Sequence, residues 1–234
     1  NEKGFLIKES SFEWIDIKPD KSIFDLNISL DLLLSATGDL SGSLRSDTKG
    51  YPAQQILSDI HAGRNVSEIA VSMFLDMYTD AEILRSEINF GDDLPREANV
   101  EIDFKIENYA ASFSDGLEFR PMLVGYLYQN PFESTQRRVP ITLDAPEKLR
   151  IEYKLTLPDG YGIEDSGDSM QTRLPGAELN EYYSATDNQL NYSFEILISR
   201  KEFPAEMYSQ LRRLYERWVD LSNGTWFIEK QTHP

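Results

Sequence analysis

Cysteine is absent from all 234 residues of the chain. That absence removes disulfides, thiolate metal sites and a cysteine nucleophile. Histidine is almost absent as well, with only His61 and His233. Two isolated histidines do not make a zinc site, which needs three or four converging ligands. His61 is expected to close a short helix, where a partial positive charge suits the helix C-terminus. No apolar run reaches the roughly 18 residues that a membrane-spanning helix requires, so no membrane span is expected. Basic residues are scarce: 23 Lys and Arg stand against 40 Asp and Glu, a formal charge of −17. A field of that sign repels phosphate backbones and anionic headgroups, which argues against nucleic acid as a partner. Neither a Gly-x-Ser-x-Gly elbow nor a phosphate-cradling glycine loop occurs.

What is present suffices for a folded chain. Hydrophobic residues make up 40% and aromatics 12%, enough to bury a core. The dominant pattern has period two. Phe24, Leu26, Ile28, Leu30, Leu32 and Leu34 alternate with polar residues, as do Val100 to Ile106, Leu149 to Leu157 and Leu190 to Ile198. Such alternation predicts strands with one buried face. Thr37-Gly38-Asp39 predicts a turn into a returning strand over Leu40 to Thr48. Two short helices are expected after Tyr51-Pro52 and after Asn65, where Glu68 completes a capping box. Leu117 to Tyr128 is continuously apolar and reads as a strand, although Pro121 argues that it begins at an edge or bulge. Pro204 sits where a helix would begin, and Met207, Leu211, Leu214 and Trp218 recur at helical spacing up to Asn223-Gly224. Thr225 to Glu229 is expected to rejoin the sheet as a last strand.

The fold class expected is mainly β (α+β), with antiparallel sheets or sandwiches, a few short helices and one C-terminal helix. Two domains are expected, 1–145 and 146–234, because residues 129–147 hold three prolines and no period.

No catalytic constellation emerges. Some pair of carboxylates among 40 will stand at glycosidase distance by chance, but none is marked out. The acidic loop Asp159, Glu164, Asp165, Asp168 lacks EF-hand spacing, and Asp92-Asp93 is equally plain. Neither a metal nor a cofactor is expected. The softer signals are aromatic. Tyr126, Tyr128 and Phe132 flank the turn at Asn130-Pro131, and exposed rings there would suit a sugar or a peptide. Arg137 and Arg138 follow, able to clamp an acidic group or to contact a neighbouring domain.

Several of these segments resemble a known arrangement in their order and spacing. They are Gly4-Phe5-Leu6 with Trp14-Ile15, Gly38-Asp39-Leu40-Ser41-Gly42 running to Gly50-Tyr51-Pro52-Ala53, and Asn130-Pro131-Phe132 with Arg137-Arg138-Val139-Pro140-Ile141. Leu157-Pro158-Asp159-Gly160-Tyr161 and then Phe203-Pro204 with Tyr208, Leu211 and Tyr215 complete the series. Together they are similar to the C-terminal β-rich region, of unknown function, that follows the transglutaminase-like domain in large exported proteins, mostly of Bacteroidetes. The chain departs from that pattern at the acidic loop Glu164 to Asp168, where relatives tend to have Pro, and at Pro175-Gly176.

The resemblance implies a non-catalytic accessory region in the periplasm or cell envelope. Its partner would be the upstream transglutaminase-like domain of the same polypeptide, with a cell-envelope protein or glycan as a further contact. The Cys-His-Asp triad of that domain would lie before Asn1, so none of its residues falls on this chain. The alternative is an independent glycan- or peptide-binding β module.

Overall fold

Alternating side chains of opposite character settle one face of a strand in the core and the other in water. This chain repeats that arrangement around one large sheet. The computed structural model describes residues 3–9, 11–16, 23–91, 97–163, 167–186 and 188–231. A hairpin of β1 (Lys3–Lys8) and β2 (Ser11–Asp16) comes first. Then follow β3 (Phe24–Leu34), β4 (Leu40–Gly50), α1 (Tyr51–His61), α2 (Val66–Phe74), β5 (Glu82–Phe90) and β6 (Glu97–Ile106). The short strands β7 (Ala111–Ser112), β8 (Gly116–Phe119) and β9 (Ile141–Thr142) are set in a long irregular stretch. Next come β10 (Glu147–Thr156), β11 (Tyr161–Gly162), β12 (Gly167–Leu174), β13 (Ala177–Thr186), β14 (Gln189–Ile198) and β15 (Glu202–Phe203). A 3-10 turn at Ala205–Met207 leads into α3 (Tyr208–Asn223), and β16 (Trp226–Lys230) closes the described chain.

Eight strands form the main sheet in the order β12-β13-β14-β10-β3-β4-β6-β5. All its pairings are antiparallel except one. At the centre β10 runs parallel to β3, with Glu147 opposite Phe24 and Leu155 opposite Leu32. The two domains expected on either side of residue 145 therefore share this sheet. The irregular prolines of 129–147 belong to a crossover that a parallel pair requires, since parallel neighbours cannot be joined by a tight turn.

One face of the sheet is covered. Leu26 to Leu34, Leu40, Leu44, Val100 to Ile106, Leu149 to Leu155 and Leu190 to Ile198 turn their alternate side chains into this core. Helices α1 and α2, α3, the crossover and a second sheet of order β11-β16-β8-β7 lie over it. Strand β16 thus pairs with β8 and β11 and not with the main sheet, because Trp226 is drawn to Tyr183, Tyr192 and Phe119 on the covered face. The apolar run after Leu117 is a strand only to Phe119. Pro121 removes a ladder donor, and Met122, Leu123 and Val124 are buried as irregular chain. The opposite face of the sheet is open, carrying cross-strand pairs such as Lys49–Glu97 (2.5 Å) and Arg45–Glu101 (3.8 Å). Exposed pairs of this kind contribute little, about 0–1 kcal/mol each.

The capping box expected at Asn65 forms, whereas Pro204 precedes a 3-10 turn and α3 starts only at Tyr208. Asn65 Oδ1 accepts from the Glu68 backbone N–H at 2.8 Å, and Glu68 accepts from the Asn65 N–H at 3.4 Å. Pro175-Gly176 forms the two-residue turn of the β12–β13 hairpin, with Gly176 at φ +88°. Gly50 joins β4 to α1 at φ +70°, and a Cβ there would meet the Ile23 carbonyl oxygen at 2.1 Å. Gly63, after α1, has φ +84° but open space around it.

The two glycines separate dihedral strain from collision. Gly63→Ala is expected to cost about 1–2 kcal/mol, the left-handed penalty alone. Gly50→Ala adds a backbone clash and should cost visibly more in urea unfolding. Equal losses would contradict the close approach at Ile23.

Candidate functional site

The crossover and α3 are locked together by the residues of the Asn-Pro-Phe turn. The Asn130 Oδ1 accepts the Phe132 N–H at 2.9 Å, closing an Asx turn. Its Nδ2 donates to the Arg212 carbonyl at 2.8 Å, and the Arg212 Nε donates back to the Phe132 carbonyl at 3.1 Å. The Phe132 ring meets Tyr208 and Tyr215 edge-on, with centroids 5.8 and 4.9 Å away. The Tyr208 hydroxyl donates to the Ser134 carbonyl at 2.6 Å, and the Trp218 Nε1 donates to the Gly125 carbonyl at 2.9 Å. Phe132 is thereby part of the core, only 8% exposed, and its ring is taken up by contacts with α3.

The other aromatic candidates lie differently. Tyr126 and Tyr128 stack on one another at 5.9 Å with planes 17° apart. Tyr126 is half-buried, and burial pushes its phenol well above the usual range, with Tyr78 beside it. Tyr128 is 53% exposed, and its hydroxyl lies 3.5 Å from an Asp76 carboxylate oxygen. Arg137 and Arg138 are on the exposed stretch that follows Phe132. The structure thus brings Tyr126 and Tyr128 together and keeps Phe132 inside. His61 is the last residue of α1. Glu164 and Asp165 of the acidic loop lie outside the described residues, as do Asp92 and Asp93 and His233. Among the described residues, no group of three or more His, Asp and Glu side chains is placed to hold a metal ion.

A second feature is not marked by any sequence motif. At one end of the parallel pair lies an open cleft of about 710 Å³, lined by Phe24, Tyr51, Leu143, Asp144, Glu147 and Tyr215. Each comes from a different constraint. Glu147 opens β10, in register with Phe24 of β3 on one side and Ile198 of β14 on the other. It shares the parity of Leu149, Ile151 and Tyr153, so its carboxylate points to the covered face. Tyr51 is placed by the Gly50 turn, its N–H bound to the Ile23 carbonyl at 2.9 Å. Tyr215 is placed by α3 and by the edge of Phe132.

Burial pushes the Glu147 carboxyl up to about 6, and no hydrogen bond or ion pair from the described residues offsets that cost. The Tyr215 phenol is raised by burial and by the nearby Glu147 charge. A contrasting carboxylate lies on β13. Glu181 is held by Arg217 of α3 at 3.5 Å and by the Tyr192 hydroxyl at 3.2 Å, so burial raises it while two partners pull it back. Glu147 was legible in principle: extending the alternation of β10 back two residues puts a carboxylate on the apolar face.

Two predictions follow from this geometry. Phe132→Ala should cost about 3–5 kcal/mol, whereas Tyr128→Ala should stay within about 0.5 kcal/mol. Equal effects would show that the turn does not hold α3. For Glu147, the folded value of about 6 lies above the ordinary glutamate value of 4.5. Its charging therefore opposes folding: the group's favourable contribution is complete below pH 4.5 and is lost as pH rises through 6. Glu147→Gln should match the parent at low pH and exceed it by up to about 2 kcal/mol above pH 7 in urea unfolding. A difference that does not change with pH would rule out a desolvated carboxylate.

Residues 115–227 match the family described as "Domain of Unknown Function with solved-structure structure (DUF3858)". That stretch begins at the edge of β8 and runs into β16, so it includes most of the crossover, α3 and Glu147. No curated protein matches the sequence. Among solved structures, one from Parabacteroides distasonis named a "putative protease" is similar at 13% identity and a TM-score of 0.42. The alignment covers 50% of this chain and spans 24% of that one.

Proposed function

We propose that this chain is a non-catalytic accessory region that docks on an upstream transglutaminase-like domain of the same exported polypeptide. The observation that carries the proposal is the β1–β2 hairpin. It forms a sheet of its own. Phe5 stands opposite Trp14, and Ile7 opposite Phe12, so all four share one face. They are 47%, 68%, 76% and 71% exposed. Phe5 touches both Phe12 and Trp14, with ring centroids 5.2 and 5.0 Å away. A lone two-stranded hairpin is marginal in water, and a contiguous apolar face marks a surface made to be covered. The resemblance of Gly4-Phe5-Leu6 and Trp14-Ile15 to the segment leaving a transglutaminase-like domain supplies the occupant. The proposed setting is the periplasm or cell envelope.

A second reading keeps one observation in its favour. Tyr128 presents a half-exposed ring stacked on Tyr126, which suits a sugar or peptide contact. It calls for saturable binding of a glycan or peptide that Tyr128→Ala weakens.

The docking reading is tested by hydrogen exchange of residues 3–16. In the polypeptide that carries the transglutaminase-like domain, these amides should exchange at least about tenfold more slowly than in the 234-residue chain. Phe12→Ser with Trp14→Ser should abolish that protection without changing the melting of the main sheet. Equal exchange in both settings would overturn docking. Peptidase or transglutaminase activity in the isolated chain would overturn the non-catalytic assignment.

A further inference from the structure

We infer that the cleft at the start of β10 is a binding site for an organic cation, an ammonium or guanidinium group on an aliphatic stem, held by Glu147 among the rings of Phe24, Tyr51 and Tyr215. The inference goes beyond the docking role and stands independently of it.

Three features of the cleft lead to this ligand class. The first is Glu147 itself. It occupies a core-face position between Phe24 and Ile198, where the rest of β10 carries Leu, Ile and Tyr. An ionised carboxylate so placed is costly unless a cation joins it. Glu181 shows how this fold treats such a group when the role is structural: it supplies Arg217 and a tyrosine hydroxyl. Among the described residues, no Lys or Arg lines the cleft at Glu147. Asp144, exposed in the preceding turn, adds a second negative charge at the rim.

The second feature is aromatic. Phe24 from β3, Tyr51 from α1 and Tyr215 from α3 are brought to one cleft by three separate elements. Ring faces attract a cation within about 6 Å of the centroid, most strongly where water is thinned out. Leu143 and Ala145 offer apolar wall for the stem. The third feature is size and reach. A cleft of about 710 Å³ falls within the ordinary range for small-ligand sites and exceeds what a bare metal ion needs. It is open to one side, so a side chain projecting from another polypeptide can enter, as can a free amine.

The two sources share one chemistry and are separated by the choice of probe. The probes are n-butylammonium, the capped peptide acetyl-Ala-Lys-Ala-amide, and the uncharged n-butanol, each titrated into the 234-residue chain and followed by NMR. Saturable shifts with the peptide alone would place the natural occupant on a protein segment. Shifts with both cations would show that the amine suffices. Either result supports the site, provided that n-butanol gives none. Glu147→Gln should weaken cation binding at least about tenfold, and Asp144→Asn by less, as befits an exposed rim charge.

A measurement on the unmodified protein guards against a folding defect in the variant. Saturating cation should move the titration of the Glu147 carboxyl to lower pH, because the bound charge favours its ionised form. Absence of saturable binding by both cations, equal binding by n-butanol, or an unmoved Glu147 titration would each overturn the inference. Loss of hairpin docking would leave it untouched, since no described residue of the hairpin lines the cleft.

Discussion

Parallel pairing of β3 with β10 is the contact on which the remaining structure depends. It joins segments more than a hundred residues apart through ten register pairs, from Glu147–Phe24 to Thr156–Leu33. Each strand is also paired antiparallel on its other side, β3 with β4 and β10 with β14. Two antiparallel meanders are thereby fused along one seam. The apolar faces of both are turned to the same side, and neither alone would cover its core.

The seam dictates what must lie over it. A parallel pair needs a crossover, and here residues 107–146 supply it as mostly irregular chain. Buried irregular backbone needs partners for its polar groups. Helix α3 provides them through Ser222, Trp218 and Arg212, which bind Leu127, Gly125 and Phe132 respectively. The Asn130 turn is the reciprocal hold. The same arrangement leaves the start of the seam less covered than its middle, and there Glu147, Phe24, Tyr51 and Tyr215 meet. The cleft is thus a product of the topology. The charge within it is a choice of sequence that the topology does not require.

Much of the fold could be read from residue pattern. The alternation in β3, β6, β10 and β14 marked each strand and its buried face, and Asn65 with Glu68 marked the start of α2. Alternation says which face is buried, not which strand lies alongside. Nothing local in Leu149 to Leu157 records that its neighbour is Phe24 to Leu34, so the seam read as a boundary near residue 145. The second sheet was hidden for a related reason. Strand β16 has five residues and β8 only four, and their pairing follows from where Trp226 packs. Of the site residues, Tyr128 is where an exposed ring would be expected, but Phe132 is consumed by α3. Glu147 is hidden because the clean alternation begins at Leu149, whereas β10 begins two residues earlier.

Native-state hydrogen exchange across the main sheet tests the central claim most directly. If β3 and β10 form one seam, the amides of Leu26 to Leu32 and of Leu149 to Leu155 should open together, with the same free energy and the same denaturant dependence. Two groups that open independently, one for the strands before residue 145 and one for those after it, would contradict a single sheet and with it the origin of the cleft.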